Sequence, residues 1–183
     1  MHHGKVSYLE SPSRREEFSP EQLLDMIPLN ESDHVLDFGA GTGYFTIPAA
    51  KRVEGRVYAM DIDPDMLEMI NEKVVKEQLD NVVTVEGSME ALPSPDGSID
   101  VVIASLVLHE IQPLAALLEQ MKKILKKNGY LICLELEPKK SSGHAPRITQ
   151  EGMKREMIEA GFDIKEVYVP ADSLYLVIAQ KVK

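Results

Sequence analysis

The sequence contains a single cysteine, Cys133, and no long apolar run. A lone cysteine excludes an intramolecular disulfide framework and a multi-cysteine zinc site. A membrane-spanning helix needs about 20 mainly apolar residues, and the longest apolar run, Val101 to Leu108, is interrupted by Ser105. The opening residues carry no apolar signal-peptide region. We therefore expect a soluble, cytoplasmic protein, and the histidine spacing predicts no metal site.

Positive charge is also scarce. The chain has 20 lysines and arginines and 30 aspartates and glutamates, which gives a net charge of -10. Such a protein repels a polyphosphate backbone unless its lysines gather on one face. Nucleic acid is therefore a disfavoured partner. The charge says nothing about the oligomeric state, which stays open.

Internal repeats and linker-like segments are absent, and 183 residues suit one ordinary domain. We expect that domain to span residues 1–183. The polar stretch 1–18 departs from the pattern of the rest and is interpreted as an N-terminal arm or a short covering segment.

Apolar runs typical of strands alternate with helix-period runs along most of the chain. Several strand runs are almost continuously apolar, as expected where both faces of a sheet are covered. The pattern predicts an α/β fold: a doubly wound, Rossmann-like, seven-stranded sheet, mostly parallel, with an antiparallel final strand and helices on both faces. The predicted strands are His34 to Phe38, Arg56 to Met60, Val82 to Val85, Ile99 to Ala104, Tyr130 to Leu136, Phe162 to Val169 and Leu174 to Gln180.

Helix starts are marked by capping residues. Ser19, Asp63 and Thr149 are the predicted N-caps, the first two followed by a first-turn proline. A further helix buries an apolar stripe through Leu125, and Asn128-Gly129 is its predicted stop. Its last two turns would then contain the four lysines that complement the helix dipole: Lys122, Lys123, Lys126 and Lys127.

A glycine-rich turn, Gly39-Ala40-Gly41-Thr42-Gly43, follows the first strand and leads into a helix-compatible segment. Glycines at such a turn let the backbone approach a ligand closely. The third glycine comes one position too early for a dinucleotide-binding fingerprint. Asp37 would also repel a pyrophosphate but would favour an ammonium or sulfonium group. The turn therefore suits a ligand with positive charge.

The second predicted strand leads into Asp61, where a carboxylate can accept both hydroxyl protons of a ribose. Ile62 follows directly and is placed to pack against a base. These two residues indicate a nucleoside ligand.

Together these motifs resemble the class I S-adenosylmethionine-dependent methyltransferases, especially the small group related to quinone-biosynthesis C-methyltransferases. The resemblance covers nearly the whole chain. It rests on VLDFGAGTGYFT, VYAMDIDPDML, VEGSMEALPSPDGSIDVV and GYLICLEL, in that order. EAGFDIKEV and LYLVIAQK are similar to the family's final antiparallel strand pair.

The resemblance implies S-adenosylmethionine (SAM) as the cofactor and S-adenosylhomocysteine (SAH) as the product. Asp37 would lie near the ammonium group of SAM, and Asp61 would hold its ribose hydroxyls. Many relatives carry an acidic residue where Ser88 stands. The other implied donor contacts are Gly39, Ala40 and Gly41 at the methionine part, Ile62 and Met89 on the adenine faces, Ser88 at the polar adenine edge and Ser105 beneath the donor.

His109 follows the fourth strand, where such enzymes usually place groups that bind the acceptor. It is the candidate catalytic residue, as a general base. The alternative is a partly buried histidine that caps the next helix or bonds to a backbone carbonyl. His144 and Arg147 lie in a polar loop and could bind an anionic acceptor, or the loop is simply solvated.

The resulting hypothesis is a methyltransferase that acts on a small molecule. No Asn/Asp-Pro-Pro-aromatic motif follows strand four, which disfavours amino-group methylation by that route, and the lone cysteine disfavours arsenite chemistry. Two alternatives remain open: a non-catalytic protein that binds the cofactor or a partner, and a nicotinamide-dependent oxidoreductase.

Overall fold

A computed structural model describes residues 19–138, 147–171 and 173–182. The chain divides into two compact units, Met1–Leu92 and Pro93–Lys183, hereafter the first and second units. The predicted arm at 1–18 and the candidate residue His144 lie outside the described residues. The single domain over 1–183 stays a prediction.

The first unit is built on three parallel strands in the order β3-β2-β1. Every residue of β1 and all but the last of β2 are buried, which explains their apolar sequences. The register pairs Phe38 with Met60 and Asp61 with Glu86, so the three strands end at the same edge. The elements are α1 (Pro20–Asp25), β1 (Val35–Phe38), α2 (Thr46–Ala50), β2 (Val57–Asp61), α3 (Pro64–Glu77), β3 (Val82–Glu86) and a short 3₁₀ helix (Met89–Ala91).

The second unit contains four strands in the order β4-β5-β7-β6. Strands β4 and β5 are parallel, whereas β7 runs antiparallel to both β5 and β6. The elements are β4 (Ile99–Ser105), a 3₁₀ helix (Leu108–Glu110), α4 (Leu114–Ile124), β5 (Leu125–Leu136), α5 (Gln150–Glu159), β6 (Phe162–Ala171) and β7 (Leu174–Lys181).

The seven strands belong to one mixed sheet of order β3-β2-β1-β4-β5-β7-β6. The predicted Rossmann-like fold is confirmed, with β7 as the antiparallel strand. Strand boundaries agree with the prediction to within about two residues, except at the start of β5. In the described parts of the chain, no helix combines the length and the apolar character that crossing a bilayer requires.

The predicted end of α4 is wrong. The helix stops at Ile124, and Leu125 starts β5 by pairing with Ile99 of β4. This pairing buries Leu125 completely, so the apolar residue serves the sheet instead of a further helical turn. Lys126 consequently leaves the helix and forms an ion pair with Asp100, with 2.8 Å between Nζ and Oδ2.

Cys133 lies within β5 and is fully buried. Burial, with a smaller contribution from Glu135, raises the pKa of its thiol well above the usual range. The thiol therefore stays protonated and packs as a small apolar group.

Thr149 caps α5, as predicted, by accepting a hydrogen bond at 3.0 Å from the Gly152 N–H. We expect Thr149→Ala to lower the free energy of unfolding by about 1 kcal/mol, because this donor loses its partner. Thr149→Ser keeps the oxygen and serves as the control. Urea denaturation measures both variants, and an equal loss in the two would contradict the capping role.

Candidate functional site

The glycine loop after β1 is tied to β2 through its backbone. The N–H groups of Gly39 and Ala40 both donate to the Met60 carbonyl, each at 2.9 Å. Gly39 and Gly41 have φ angles of 70° and 53°, a left-handed conformation that favours glycine. The loop therefore presents main chain, with almost no side chain, at the carboxyl end of β1.

Helix α3 packs beneath this loop and explains the third glycine of the motif. A Cβ atom on Gly43 would lie 3.0 Å from the Ile70 Cγ1 atom, and Gly43 has a φ of 84°. Lys73 donates from Nζ to the Thr42 carbonyl at 2.7 Å. The early third glycine thus serves the contact between loop and helix.

Asp61 ends β2 with its carboxylate against the glycine loop. Its Oδ2 atom accepts the Gly41 N–H at 2.8 Å, and its Oδ1 atom accepts the Asp63 N–H at 3.0 Å. A carboxylate offers about four lone-pair directions, so each oxygen can accept a further hydrogen bond. Asp61 is only half-buried and can still reach a ligand.

The segment after β3 joins the same edge, because the Gly87 N–H donates to the Asp61 carbonyl at 3.0 Å. Met89 begins the following 3₁₀ helix and is buried, whereas Ile62 is 80% exposed. The Ser88 hydroxyl is exposed and donates to the Glu90 carboxylate. The structure therefore gathers the predicted donor-binding residues of the first unit at the ends of its three strands.

Asp37, within β1, is 2% exposed. Its Oδ2 atom accepts a hydrogen bond from the Thr46 hydroxyl at the start of α2, at 2.6 Å. This bond fixes a buried carboxylate directly before the glycine loop. Ser105, the remaining predicted donor contact, ends β4 of the second unit and is also buried.

Thr42, within the glycine loop, is a candidate site residue that the sequence reasoning missed. It is 1% exposed, and its Oγ1 atom has no hydrogen-bond partner among the described residues. A buried hydroxyl without a partner is costly, by roughly 1 to 3 kcal/mol, and calls for a ligand or water. The signal was present as a hydroxyl residue between two motif glycines.

In the second unit, His109 is buried and lies on the 3₁₀ helix after β4. Its Nδ1 atom lies 2.7 Å from Oε2 of Glu135, and its Nε2 atom lies 3.0 Å from Nη1 of Arg147. The alternative of a bond to a backbone carbonyl is not what the structure shows, since the partner is a carboxylate. Glu135 was missed, although a carboxylate within the apolar run LICLEL was its signal.

Comparison with known proteins identifies the family. A family described as "Methyltransferase domain" matches residues 36–133, which is more than half of the chain. The chain belongs to this methyltransferase family. The match contains the glycine loop, Asp61 and the segment after β3, and it extends into β5. The predicted family is thereby confirmed.

Two demethylmenaquinone methyltransferases are among its relatives. The protein from Geobacillus stearothermophilus is 35% identical over 117 residues, which is 63% of this chain and 50% of the relative. The protein from Geobacillus sp. (strain WCH70) is 30% identical over the same shares. The matched region thus spans about half the length of these relatives.

A solved structure is similar over almost the full length. The crystal structure of a SAM-dependent methyltransferase from Aquifex aeolicus has 29% sequence identity and a TM-score of 0.87, and the match covers 98% of both chains. It supports SAM as the cofactor of the family to which this methyltransferase belongs. The individual contact residues stay predictions. Among the described residues, no cluster of three or more His, Cys, Asp or Glu side chains could hold a metal ion.

Proposed function

We propose that this methyltransferase transfers the methyl group of SAM to a small-molecule acceptor. The observation that carries the proposal is the position of Asp61, whose carboxylate bonds to the glycine loop and whose carbonyl bonds to Gly87. One residue thereby links the three strand ends at which the nucleoside and methionine parts would bind.

The residues of the first unit fit this donor. Gly39, Ala40 and Gly41 offer main chain to its methionine part, with the buried Asp37 carboxylate beside them for the ammonium group. The buried Thr42 hydroxyl supplies a polar group that needs a partner.

The adenosine part would lie between Asp61 and the segment after β3. Asp61 accepts the ribose hydroxyls with its remaining lone pairs. Ile62 and Met89 cover the faces of the adenine. The Glu90 carboxylate, bonded to Ser88, provides the acidic group that many relatives have at position 88.

When bound, SAM supplies a methyl group on a positively charged sulfur, and the sulfur keeps the bonding electron pair as the methyl group leaves. The chain's own contribution is to align the acceptor atom and to hold its proton. Alignment of the reacting atoms can lower the activation barrier by about 7 kcal/mol or more. His109 is the proposed general base. Ser105 is proposed to line the donor site.

The proposed class of acceptor is based on the relatives named demethylmenaquinone methyltransferase. Because the chain spans about half of their length, we infer from this similarity only that the acceptor is small and contains a ring. A cytoplasmic location is part of the same proposal and rests on the sequence composition.

The test is a transfer assay with methyl-labelled SAM and a panel of small hydroquinones and phenols. We expect label in an acceptor and an equal amount of SAH. A protein that binds SAM but labels no acceptor would overturn the enzymatic proposal in favour of a non-catalytic binding protein. His109→Ala is expected to bind SAM normally and to turn over about 100-fold more slowly or worse.

A further inference from the structure

Among the described residues, the buried Glu135 carboxylate of the second unit binds one residue, His109, with both of its oxygens. Glu135 is 1% exposed and lies within β5, between β4 and β7. Its Oε2 atom lies 2.7 Å from His109 Nδ1, and its Oε1 atom accepts the His109 backbone N–H at 3.3 Å. Both oxygens therefore fix the position and the rotation of one imidazole ring.

Arg147 determines which nitrogen of that ring carries the proton. A guanidinium group has N–H donors only, so the Nε2 atom of His109, 3.0 Å from Arg147 Nη1, must be the acceptor. The Nδ1 atom of a neutral ring then carries the proton and donates it to Glu135. The basic nitrogen of His109 is thus the one that meets Arg147.

Within the described residues, most of the N–H donors of Arg147 have no partner. Of its five N–H donors, the contacts found in the described residues engage one. No carboxylate among these residues forms an ion pair with it; the nearby Glu110 carboxylate lies 3.8 Å from His109 Nε2 instead. A half-buried guanidinium that has no carboxylate partner in the described part of the chain can bind an anionic group of a ligand.

The segment that directly follows Arg147 is anchored at two points. The Tyr175 hydroxyl donates to the Ile148 carbonyl at 2.9 Å, and the Gln150 N–H donates to Glu137 Oε2 at 2.8 Å. Burial, with contributions from Cys133, Glu135 and Glu137, raises the pKa of Tyr175 well above its usual range, so its hydroxyl stays a donor. Arg147 is thereby held beside the imidazole.

We propose that Glu135, His109 and Arg147 form a binding site for an acceptor with an acidic hydroxyl group, a phenol or an enol. This inference rests on the proposed function. The acceptor hydroxyl replaces the Arg147 N–H at His109 Nε2, which frees the lone pair of that nitrogen. The acceptor O–H bond then breaks, its proton forms an N–H bond with His109 Nε2, and the oxyanion keeps the electron pair and lies beside the displaced Arg147 guanidinium. His109 is the catalytic base, Arg147 selects the acidic group, and Glu135 is a positioning residue.

The charges balance throughout this step. Before it, the site holds Glu135 as an anion, a neutral His109, the Arg147 cation and a neutral acceptor. Afterwards His109 is a cation and the acceptor is an oxyanion, which has taken the place of the contact between His109 and Arg147. The exposed Glu110 carboxylate, 3.8 Å from His109 Nε2, adds the same negative charge to both states, so the proton transfer leaves the net charge of the site unchanged.

The test uses 4-nitrophenol as the probe, because its phenolate absorbs visible light and its protonated form does not. The titration is done on the SAH complex at a pH where the free probe is mainly protonated. We expect a phenolate band on binding, and no binding of the methyl ether 4-nitroanisole. Absence of the band, or equal binding of the ether, would overturn the inference.

Variants separate the three roles. Arg147→Gln is expected to weaken probe binding about tenfold or more, with partial recovery in Arg147→Lys. His109→Ala and Glu135→Gln are expected to reduce the phenolate band more than the total binding. Arg155→Gln, which removes an exposed arginine of α5, is the matched control and should change neither. Equal probe binding in the parent and in Arg147→Gln would overturn the role of Arg147.

SAH affinity, measured on the same samples, distinguishes the two levels of the proposal. Normal SAH binding without a phenolate band means that the inference is wrong, whereas donor binding by the first unit stands. Failure of the parent protein to bind SAH would overturn the proposed function itself.

Discussion

Replacing Asp61 with alanine is expected to weaken SAM binding about 10- to 150-fold, equivalent to roughly 1.5 to 3 kcal/mol. The variant has no carboxylate to accept hydrogen bonds from the two ribose hydroxyls. The Gly41 N–H also loses its acceptor, the Asp61 Oδ2 atom, which lies 2.8 Å from it in the parent protein. Calorimetric titration of the parent and the variant measures the change.

The two contributions can be separated with 2′-deoxy-SAH, which lacks one ribose hydroxyl. The parent protein should bind this analogue more weakly than SAH, whereas Asp61→Ala should bind the two with nearly equal affinity. If the variant still discriminates between them as the parent does, Asp61 does not hold that hydroxyl. Asp65→Ala, an exposed carboxylate in the first turn of α3, is the control and should bind SAH normally.

Replacing Gly55 with alanine is expected to destabilise the fold of the first unit strongly. A Cβ atom on Gly55 would lie 2.1 Å from the Asp33 carbonyl oxygen and 3.0 Å from that of Ser32. Both are main-chain atoms, so the two turns that precede β1 and β2 would have to separate. We expect a loss of about 3 kcal/mol and a melting temperature lower by roughly 6 to 12 °C.

Gly97→Ala is the matched control, because a Cβ atom there meets nothing within 4 Å. Its φ of +65° still gives an expected loss of about 1 kcal/mol. Thermal unfolding followed by circular dichroism measures both variants. A Gly55→Ala protein that melts with or above Gly97→Ala would contradict the steric argument.

The grouping of the candidate donor-binding residues of the first unit could be predicted from the sequence because they lie at the ends of consecutive strands. Gly39 to Gly43 and Asp61 each directly follow or end an apolar run, and parallel strands bring such ends to one edge. The position of Thr42 between two motif glycines could be seen in the sequence, but the lack of a hydrogen-bond partner for its hydroxyl among the described residues depends on packing and could not.

The group around His109 could not be assembled in this way. Glu135 is 26 residues and Arg147 is 38 residues away from His109 along the chain. Their meeting depends on the pairing of β4 with β5 and on the segment before α5. The predicted end of α4 failed for a related reason, since the pairing of Leu125 with Ile99 overrode the local helical pattern.

The central claim, that the first unit binds SAM, is tested most directly by calorimetric titration with SAM, SAH and reduced nicotinamide dinucleotide in parallel. We predict micromolar binding of both sulfur nucleosides and none of the dinucleotide, because Asp37 and the early third glycine do not suit a pyrophosphate. Binding of the dinucleotide alone, or of none of the three, would contradict the account.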